Sequence, residues 1–449
     1  MKNRKLVVIG GDAAGMSAAS KVRREHPDRE IVVFERGRHT SYAACGMPYF
    51  IAGQIEPVGK LIARSPEAFR EKQRIDVRTR HEVLGIDVEQ REVRVRDLDA
   101  DREFRESWDD LLIATGAAPI VPDLPNIRAP GVFSLSTLQS GIEVFEDIER
   151  HLPRRAVIVG GGYIGIEMAE ALLDRGLEVT LIDMALQVMN TLDPDMAEGI
   201  ATAMRDAGVT VFLGEGLKAI ETGPDGRVRQ VVTDQRRLDA DLVILGLGIR
   251  PESELARAAG IGLGVAGAIR VDRRMQTSSS RVWAAGDCAE SFHLVKEAPA
   301  FIALGTVANK HGLVAGINLA GGDMEFPGVL GTAITRFQDL EIARTGLSER
   351  EARDLGLAYR AKTIDALTRS HYFPGAGAIK VKLVVEDATG RLLGGQIVGR
   401  SGAGKRIDTI ATAISARMTA GQLVYLDLSY APPFSPVWDP VQTAARTLV

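Results

Sequence analysis

The chain has 449 residues, a length that predicts two or three domains rather than one core. Its net charge of −4 gives no overall basic field, which argues against a nucleic-acid partner. No apolar run approaches the roughly 20 residues that span a bilayer, and Met1–Gly11 is too short and glycine-rich for a signal peptide. We therefore expect a cytoplasmic protein with no membrane partner.

The first segment predicts a βαβ unit. A strand over Lys5–Ile9 runs into a glycine turn, a helix follows over Gly15–Glu25, and a second strand covers Glu30–Glu35. This succession is typical of a nucleotide-binding domain.

The turn of this unit departs from the dinucleotide fingerprint G-x-G-x-x-G. It contains Gly10, Gly11, Asp12, Ala13, Ala14 and Gly15, so Asp12 occupies the second glycine position. An ordinary strand-to-helix turn is the alternative. Glu35 at the end of the second strand favours dinucleotide binding, because a carboxylate there can bind ribose hydroxyls.

Cysteine usage limits the chemistry that the chain can perform. Only Cys45 and Cys288 are present, which excludes a disulfide framework and a zinc site built from cysteine pairs. We predict no metal site. A cysteine with a role in this chain would act as a reactive thiol, and Cys288 is expected to be structural.

A second βαβ unit starts at Val157, continues as a helix to Arg175 and ends with a strand over Glu178–Asp183. Its turn, Gly160 to Gly165, satisfies the fingerprint, with Gly162 in the second position. Asp183 stands where a carboxylate binds ribose and would repel a 2′-phosphate. The sequence therefore favours NADH over NADPH, unless a cation such as Arg175 lies nearby.

Two shorter motifs accompany the fingerprints. Thr115 and Gly116 end one apolar strand, and Asp287 follows Gly286 at the end of another. A carboxylate in the latter position can accept hydrogen bonds from a polyol chain, which FAD has and NAD lacks.

The pattern of predicted strands and helices changes after about residue 325. Strand-like runs over Ile379–Val385 and Leu392–Val398 precede a helical run over Ile407–Met418. We interpret this part as a separate α+β domain.

The order of these motifs resembles the pyridine nucleotide–disulfide oxidoreductase family over essentially the whole chain. The resemblance implies an α/β fold with two Rossmann-like dinucleotide-binding domains, for FAD and for NAD(P)H, and a C-terminal α+β dimerisation domain. The implied FAD domain covers residues 1–110 and 270–325. The NAD(P)H domain with its connecting strands covers 111–269, and the dimerisation domain covers 326–449.

The resemblance also assigns cofactor-binding residues. For FAD they are Gly10, Ala13, Ala14, Gly15, Glu35, Thr115, Gly116 and Asp287. For NAD(P)H they are Gly160, Gly162, Gly165, Glu167, Asp183 and Gly248. Glu167 would lie near the nicotinamide–flavin contact. The alternative for Glu167 is a solvated helix glutamate.

Cys45 could be a buried structural thiol or a thiolate stabilised at a helix N-terminus. Its surroundings, Ser41 to Tyr49, resemble the single-cysteine branch of the family, whose pattern is S-F-x-x-C-G-x-P. Tyr42 replaces phenylalanine, and Ala44 stands where asparagine is frequent. This branch contains NADH oxidases, NADH peroxidases, polysulfide reductases and coenzyme A-disulfide reductases.

A single thiol must store oxidising equivalents as a sulfenic acid or as a mixed disulfide. Branch members that use sulfenic acid typically carry a histidine in the first glycine turn, which is absent here. The stretches around Tyr372 and Tyr430 resemble coenzyme A-disulfide reductases, where these hydroxyls reach the cysteine of the opposite subunit. The resemblance thus implies a homodimer whose active site the partner completes, although either tyrosine could be a plain interface aromatic.

Coenzyme A needs cations for its phosphates. Ser17, Lys21 and Arg24 share one face of the first helix, and family members place coenzyme A against that helix, near Ser41 and Tyr42. A solvated basic face is the alternative.

The expected function is an FAD-dependent NAD(P)H:disulfide reductase that converts coenzyme A disulfide into two thiols through a mixed disulfide on Cys45. One alternative is an NADH oxidase, an NADH peroxidase or a polysulfide reductase using the same cysteine. Others are an electron-transfer flavoprotein reductase for a protein partner and an interaction protein with structural FAD.

Overall fold

A computed structural model describes residues 4–449. Residues 1–3, which belong to the predicted FAD domain and to the segment weighed as a signal peptide, lie outside the described residues. Within the described range, no helix combines the length and apolarity needed to cross a membrane. The same range holds no group of three or more His, Cys, Asp or Glu side chains arranged as metal ligands.

The first domain is built on a parallel sheet. Its central strand is a continuous β-branched and leucine run that is buried on both faces, as parallel strands between helices are. The strands, in spatial order, are Val282–Ala284, Asp110–Ile113, Leu6–Ile9, Ile31–Glu35 and Asp76–Thr79. Its helices are Ala13–Glu25, Met47–Ile51, Pro66–Gln73, Glu254–Ala258 and Gly305–Leu319. Two antiparallel units complete it: His81–Asp87, Glu92–Asp97 and Arg102–Ser107, and the pair Ser291–His293 and Ala298–Ala300.

The second domain repeats this plan. Its parallel strands, in spatial order, are Thr210–Leu213, Glu178–Asp183, Arg155–Val159, Leu242–Leu245 and Val132–Phe133. Its helices are Leu138–His151, Tyr163–Asp174 and Pro194–Asp206, and its antiparallel unit contains Leu217–Thr222, Val228–Thr233 and Arg237–Asp239. The chain passes between the two domains through the antiparallel pair Ala117–Pro119 and Ile249–Pro251.

The third domain is α+β. Its five antiparallel strands, in spatial order, are Ala333–Phe337, Leu340–Gly346, Leu392–Gly399, Ala378–Glu386 and Tyr359–Leu367. Its helices are Glu349–Asp354, Ile407–Ser415, Ala420–Val424 and Pro440–Arg446. Short 3-10 turns elsewhere cover Ala44–Gly46, Val58–Leu61, Val265–Gly267 and Gly404–Arg406.

The predicted fold class is confirmed, but the structure shifts two domain boundaries. Asp110–Ile113 pairs in parallel with Leu6–Ile9, so a boundary at residue 110 would divide one strand of the first sheet. Ala256 and Ile261 pack in the apolar cluster of the first domain, so the segment from about residue 252 belongs there and not to the predicted range 111–269. We propose these adjusted limits because sheet pairing and packing, rather than motif positions, define a domain.

A buried ionic cluster joins the second and third domains. The side chain of Lys382 is only 4% exposed, and its Nζ lies 3.3 Å from Asp193 Oδ2 and 2.7 Å from Asp195 Oδ1. Glu349 forms a further ion pair with it. Gln396 donates from Nε2 to Asp193 Oδ2 over 2.6 Å, so the second-domain loop is held by both charge and hydrogen bonds.

Candidate active site

The first glycine turn is shaped by close backbone approach. Gly10 has φ +105°, and a Cβ there would collide with the carbonyl oxygen of Ala114. A Cβ on Gly15 would collide in turn with the carbonyl of Gly10, so the helix can follow the strand this closely only without side chains. Ala13 and Ala14 form the first turn of that helix, whose free N–H groups can face phosphate oxygens.

Glu35 is oriented by this turn. Its carboxylate accepts hydrogen bonds from the N–H of Gly11 over 2.7 Å and from the N–H of Gly37 over 2.6 Å. A cavity of about 370 Å³ opens beside it, and Gly10, Thr115 and Arg250 are among its lining residues. The carboxylate is thereby fixed at the mouth of a space in which a ribose could bind.

Thr115 and Gly116 lie at the crossing between domains. The Thr115 hydroxyl donates to the carbonyl of Glu252 over 2.5 Å, and the Gly116 carbonyl accepts the Glu252 N–H over 2.9 Å. Gly248, with φ +91°, lies in the same crossing, where its carbonyl accepts the N–H of Ile120 over 2.9 Å. These contacts fix the crossing between the two domains, and of the three residues only Thr115 lines the cavity beside Glu35.

Asp287 supports the fit of FAD to the first domain. Its Oδ1 is buried and has no hydrogen-bond partner among the described residues, and burial raises the pKa of its carboxyl to about 6. A buried acceptor without a donor is unfavourable unless a ligand supplies one. The ribityl hydroxyls of FAD are donors of that kind, so the residues present fit this cofactor.

The second glycine turn repeats the first. Gly160 and Gly165 make the same two close approaches, while no described atom lies within 4 Å of the place a Cβ would take at Gly162. Asp183 accepts the N–H of Gly161 over 2.6 Å and that of Ala185 over 2.8 Å, as Glu35 does in the first turn. These contacts leave the Gly162 side of the turn open to a dinucleotide.

Arg175 does not lie near Asp183. It follows the far end of the helix Tyr163–Asp174, where it forms an ion pair with Glu149 and lies 5.4 Å from the ring centroid of Phe145. The cation considered as a compensating charge is therefore engaged elsewhere.

Glu167 is not a solvated helix glutamate. Its Oε1 accepts a hydrogen bond of 2.7 Å from the hydroxyl of Thr335, which belongs to the third domain. Burial raises the pKa of its carboxyl, which the Thr335 hydrogen bond opposes. Glu167 thus marks the place where the second and third domains approach the cysteine segment.

The thiol of Cys45 is accessible, which excludes the buried structural alternative. It lies in the 3-10 turn Ala44–Gly46, directly before the helix Met47–Ile51. Cys288, by contrast, is fully buried and packs in the apolar cluster of the first domain. The two cysteines therefore differ in the way a reactive and a structural thiol would.

The protein groups around Cys45 disfavour its thiolate. Burial within its turn raises the pKa of the thiol above its ordinary value, the carboxylate of Glu167 raises it further, and that of Asp287 adds to this. Its own backbone N–H acts in the opposite direction but is outweighed. Among the protein groups of this structure, burial and the two carboxylates therefore oppose the thiolate, so the stabilisation by a helix N-terminus that we considered stays a prediction.

Removing the Glu167 charge should accelerate modification of Cys45. We expect Glu167→Gln to lower the pKa of Cys45 and to raise its alkylation rate at pH 8 by roughly twofold or more, since one charge that opposes the thiolate is removed. The rate of iodoacetamide labelling, followed from pH 7 to 10, measures this.

Glu170→Gln is the matched control, because Glu170 lies one helical turn further on and bonds instead to the N–H of Gln338 over 2.8 Å. Equal acceleration in both variants would contradict a specific effect of Glu167.

A second cavity, of about 400 Å³, lies beside the cysteine segment. Ser17, Arg24 and Ser41 line it, as the sequence predicted, but Lys21 and Tyr42 do not. Lys21 instead pairs with Glu25 over 2.5 Å, and Tyr42 packs against the core of the second domain. Two of the five residues assigned to coenzyme A therefore lie outside this cavity.

The cavity also contains residues that the sequence analysis missed. Arg64 lines it with its guanidinium 5.1 Å from the ring centroid of Phe69, and Asn309 accepts a hydrogen bond of 3.0 Å from the Ser17 hydroxyl. No motif marks them, because they come from separate segments. Arg64 could have been considered as one of the cations close to Cys45 in sequence.

Tyr372 and Tyr430 lie together on the third domain. They are 64% and 46% exposed, and the pKa of the Tyr430 phenol is raised, chiefly by the neighbouring Tyr372. Phe434 and Trp438 are exposed on the same C-terminal segment. Two phenols from stretches far apart in sequence are thus presented together in an exposed aromatic region.

Two dinucleotide-binding turns and one accessible cysteine define a two-dinucleotide redox protein. Comparison with known families agrees: residues 4–301 match the model described as pyridine nucleotide-disulphide oxidoreductase, and residues 332–440 match the dimerisation domain of the same family. The chain belongs to the pyridine nucleotide-disulphide oxidoreductase family, whose members use FAD and NAD(P)H.

Similar proteins cover the whole chain. The CoA-dependent NAD(P)H sulfur oxidoreductase of Pyrococcus furiosus is 43% identical over 100% of both chains. An NADH oxidase of Methanocaldococcus jannaschii is 36% identical over 98% of this chain and 97% of its own. The reduced Bacillus anthracis CoADR-RHD structure superposes with a TM-score of 0.96 at 36% identity, covering 100% of this chain and 80% of that one.

Proposed function

We propose that this protein is an FAD-dependent NAD(P)H reductase that passes electrons through Cys45 to a small sulfur substrate, with coenzyme A disulfide as its best substrate. The observation that carries the proposal is the accessible Cys45, whose segment contributes Ser41 to a cavity that Arg24 and Arg64 also line. The Pyrococcus relative, described as a CoA-dependent sulfur oxidoreductase, supports the same substrate class.

The two glycine turns would divide the cofactors between them. The residues that would hold FAD, which relays electrons from the nicotinamide to sulfur when bound, are Gly10, Ala13, Ala14, Gly15, Glu35 and Asp287. Gly160 to Gly165 and Asp183 would hold the nicotinamide dinucleotide. No lysine or arginine occurs from Met184 to Leu192, so the loop after Asp183 lacks a cation for a 2′-phosphate, which supports NADH as the preferred donor.

The reaction at Cys45 is thiol–disulfide exchange. The Cys45 thiolate attacks one sulfur of the substrate disulfide, forms a mixed disulfide and releases the first coenzyme A thiolate. Two electrons from NADH and one proton then cleave the mixed disulfide, which releases the second thiol and restores the Cys45 thiolate. Over one cycle, NADH, one proton and the disulfide give NAD⁺ and two thiols.

The cavity beside Cys45 would bind the nucleotide end of coenzyme A. Arg24 and Arg64 supply positive charge, Ser17 and Ser41 supply hydroxyls, and Phe69 offers a ring face. This combination suits a phosphorylated adenosine better than elemental sulfur. The enzyme would thus select its substrate by the nucleotide part of coenzyme A as well as by the disulfide.

A homodimer would complete the site. The third domain belongs to a family dimerisation domain and exposes Tyr372 and Tyr430. In the dimer these phenols would approach the partner's thiol exchange centre and protonate the departing thiolate. An exposed aromatic region on such a domain is what an interface requires.

Mass spectrometry of the native protein tests this function. We expect a coenzyme A adduct on the peptide that contains Cys45, removed by dithiothreitol or by excess NADH, and no adduct on Cys288. The reason is that the accessible thiol exchanges whereas the buried one does not. A Cys45 sulfenic acid without any adduct would favour NADH oxidase activity, the name carried by the Methanocaldococcus relative.

A further inference from the structure

Asp12 uses its side chain in an unusual way. It is the N-cap of the helix Ala13–Glu25, with extended backbone angles of φ −108° and ψ −152°, yet its carboxylate caps none of the helix N–H groups. Aspartate at an N-cap normally accepts from the second or third residue of the helix. Here those N–H groups remain free for a ligand, and the carboxylate points elsewhere.

The carboxylate binds the segment that carries Cys45. Asp12 Oδ1 accepts a hydrogen bond of 3.2 Å from the N–H of Tyr42. The preceding N–H, that of Ser41, donates to the carbonyl of Gly11 over 3.1 Å. Two consecutive residues of the cysteine segment are therefore tied to two consecutive residues of the first glycine turn.

The opposite edge of the segment is also held. The N–H of Ala43 donates to the carbonyl of Leu61 over 2.7 Å, and the N–H of Ala63 donates to that of Ser41 over 2.8 Å. Ser41 adopts φ +48°, a conformation that costs a non-glycine residue free energy. A strained segment needs hydrogen bonds on both sides to keep one position.

Placing a carboxylate here is unfavourable by itself. Burial raises the pKa of Asp12 to about 6, and the neighbouring carboxylates Glu35 and Asp287 also raise it. Glycine fills this position in the fingerprint and would avoid that cost. The N–H of Tyr42 compensates most, with a smaller contribution from the N–H of Ala13, since both oppose the rise in the pKa of Asp12.

We propose that Asp12 is a positioning residue that fixes the Cys45 segment to the first dinucleotide turn and thereby sets the reactivity of the thiol. The inference rests on the proposed function of Cys45. It concerns the hydrogen-bond acceptor at position 12, so asparagine, whose side-chain carbonyl can replace the carboxylate oxygen, should serve in its place.

Two measurements on the FAD-loaded enzyme test this role. One is amide hydrogen exchange, and the other compares the rate of disulfide turnover with the rate of flavin reduction. In Asp12→Ala, we expect faster amide exchange in the peptide over residues 40–46 and a roughly five- to tenfold lower kcat with coenzyme A disulfide, the loss that one buried hydrogen bond gives. NADH-driven reduction of the flavin should stay within about twofold, since it does not use Cys45. Asp12→Asn should restore exchange protection and most of kcat.

Asp28→Asn is the matched control, because Asp28 is an exposed acid just beyond the same helix. Unchanged exchange and turnover in Asp12→Ala would overturn the inference, and so would a parallel loss of flavin reduction or of bound FAD. Turnover retained by Cys45→Ser would overturn the proposed function instead, while the exchange result for Asp12 would still stand.

Discussion

Cys45→Ser is expected to lower turnover of coenzyme A disulfide by at least roughly a thousandfold, because a serine hydroxyl cannot form or exchange a mixed disulfide. FAD content should be unchanged, since the serine is close in size and the residues proposed to hold FAD lie on other segments. NADH oxidation with ferricyanide as the acceptor should stay within about twofold. Stopped-flow flavin absorbance measures the reduction of FAD by NADH, and the release of thiols measures the reduction of the disulfide.

Cys288→Ser is the control for this result. The Cys288 sulfur lies 3.4 Å from the carbonyl of Ala285 and 3.5 Å from that of Ile113, so a serine hydroxyl can donate to either oxygen. Turnover should therefore persist in this variant. Thiol release by Cys45→Ser at a tenth or more of the wild-type rate would reject catalysis through this cysteine.

The elements of the two dinucleotide domains could be predicted because their signals are local. A buried parallel strand needs a continuous apolar run, and the turn after it needs glycine at fixed spacing. Glu35 and Asp183 consequently lie at the ends of their strands, as the pattern indicated, and each accepts two backbone N–H groups. That they bind ribose remains a prediction.

The parts of the site that depend on remote segments could not be predicted. The side-chain contact between Thr335 and Glu167 joins two domains, and Asn309 reaches Ser17 from a helix far along the chain. The raised pKa of the Cys45 thiol could not be predicted for the same reason, since burial and the carboxylates of Glu167 and Asp287 act on it through the fold. The pair between Lys21 and Glu25, by contrast, has i,i+4 spacing on one helix, so the sequence alone could have indicated it.

Lys382→Met is expected to destabilise the protein by about 2–3 kcal/mol at pH 7, less than the cost of breaking a fully buried pair, because Asp193 is buried but Asp195 is 45% and Glu349 29% exposed. Asp193, Asp195 and Glu349 converge on this ammonium, and methionine fills its space without its charge. The urea midpoint of tryptophan fluorescence and the apparent Tm should both fall. Because the cluster joins two domains, the unfolding transition should also broaden.

The pH dependence of the free energy of unfolding can show that the loss of charge causes the destabilisation of Lys382→Met. Burial lowers the pKa of Lys382, but hydrogen bonds to Asp195 and Glu349 outweigh this and raise it. Burial likewise raises the pKa of Asp195, but its hydrogen bond to Lys382 contributes to a net lowering. The stabilisation by the pair is therefore present at neutral pH, and it is lost as pH falls through the lowered pKa of Asp195 or rises through that of Lys382.

The deficit of Lys382→Met should accordingly shrink from pH 7 towards pH 3, because the contribution of the Lys382–Asp195 pair falls as Asp195 takes up a proton. Lys380→Met is the matched control, since Lys380 lies on the same strand face but contacts the carbonyl of Asp195, at 3.4 Å, rather than its carboxylate. It should cost less than about 1 kcal/mol. An equal deficit for Lys382→Met at both pH values would assign the loss to packing, because only the ionic contribution changes with the protonation of Asp195.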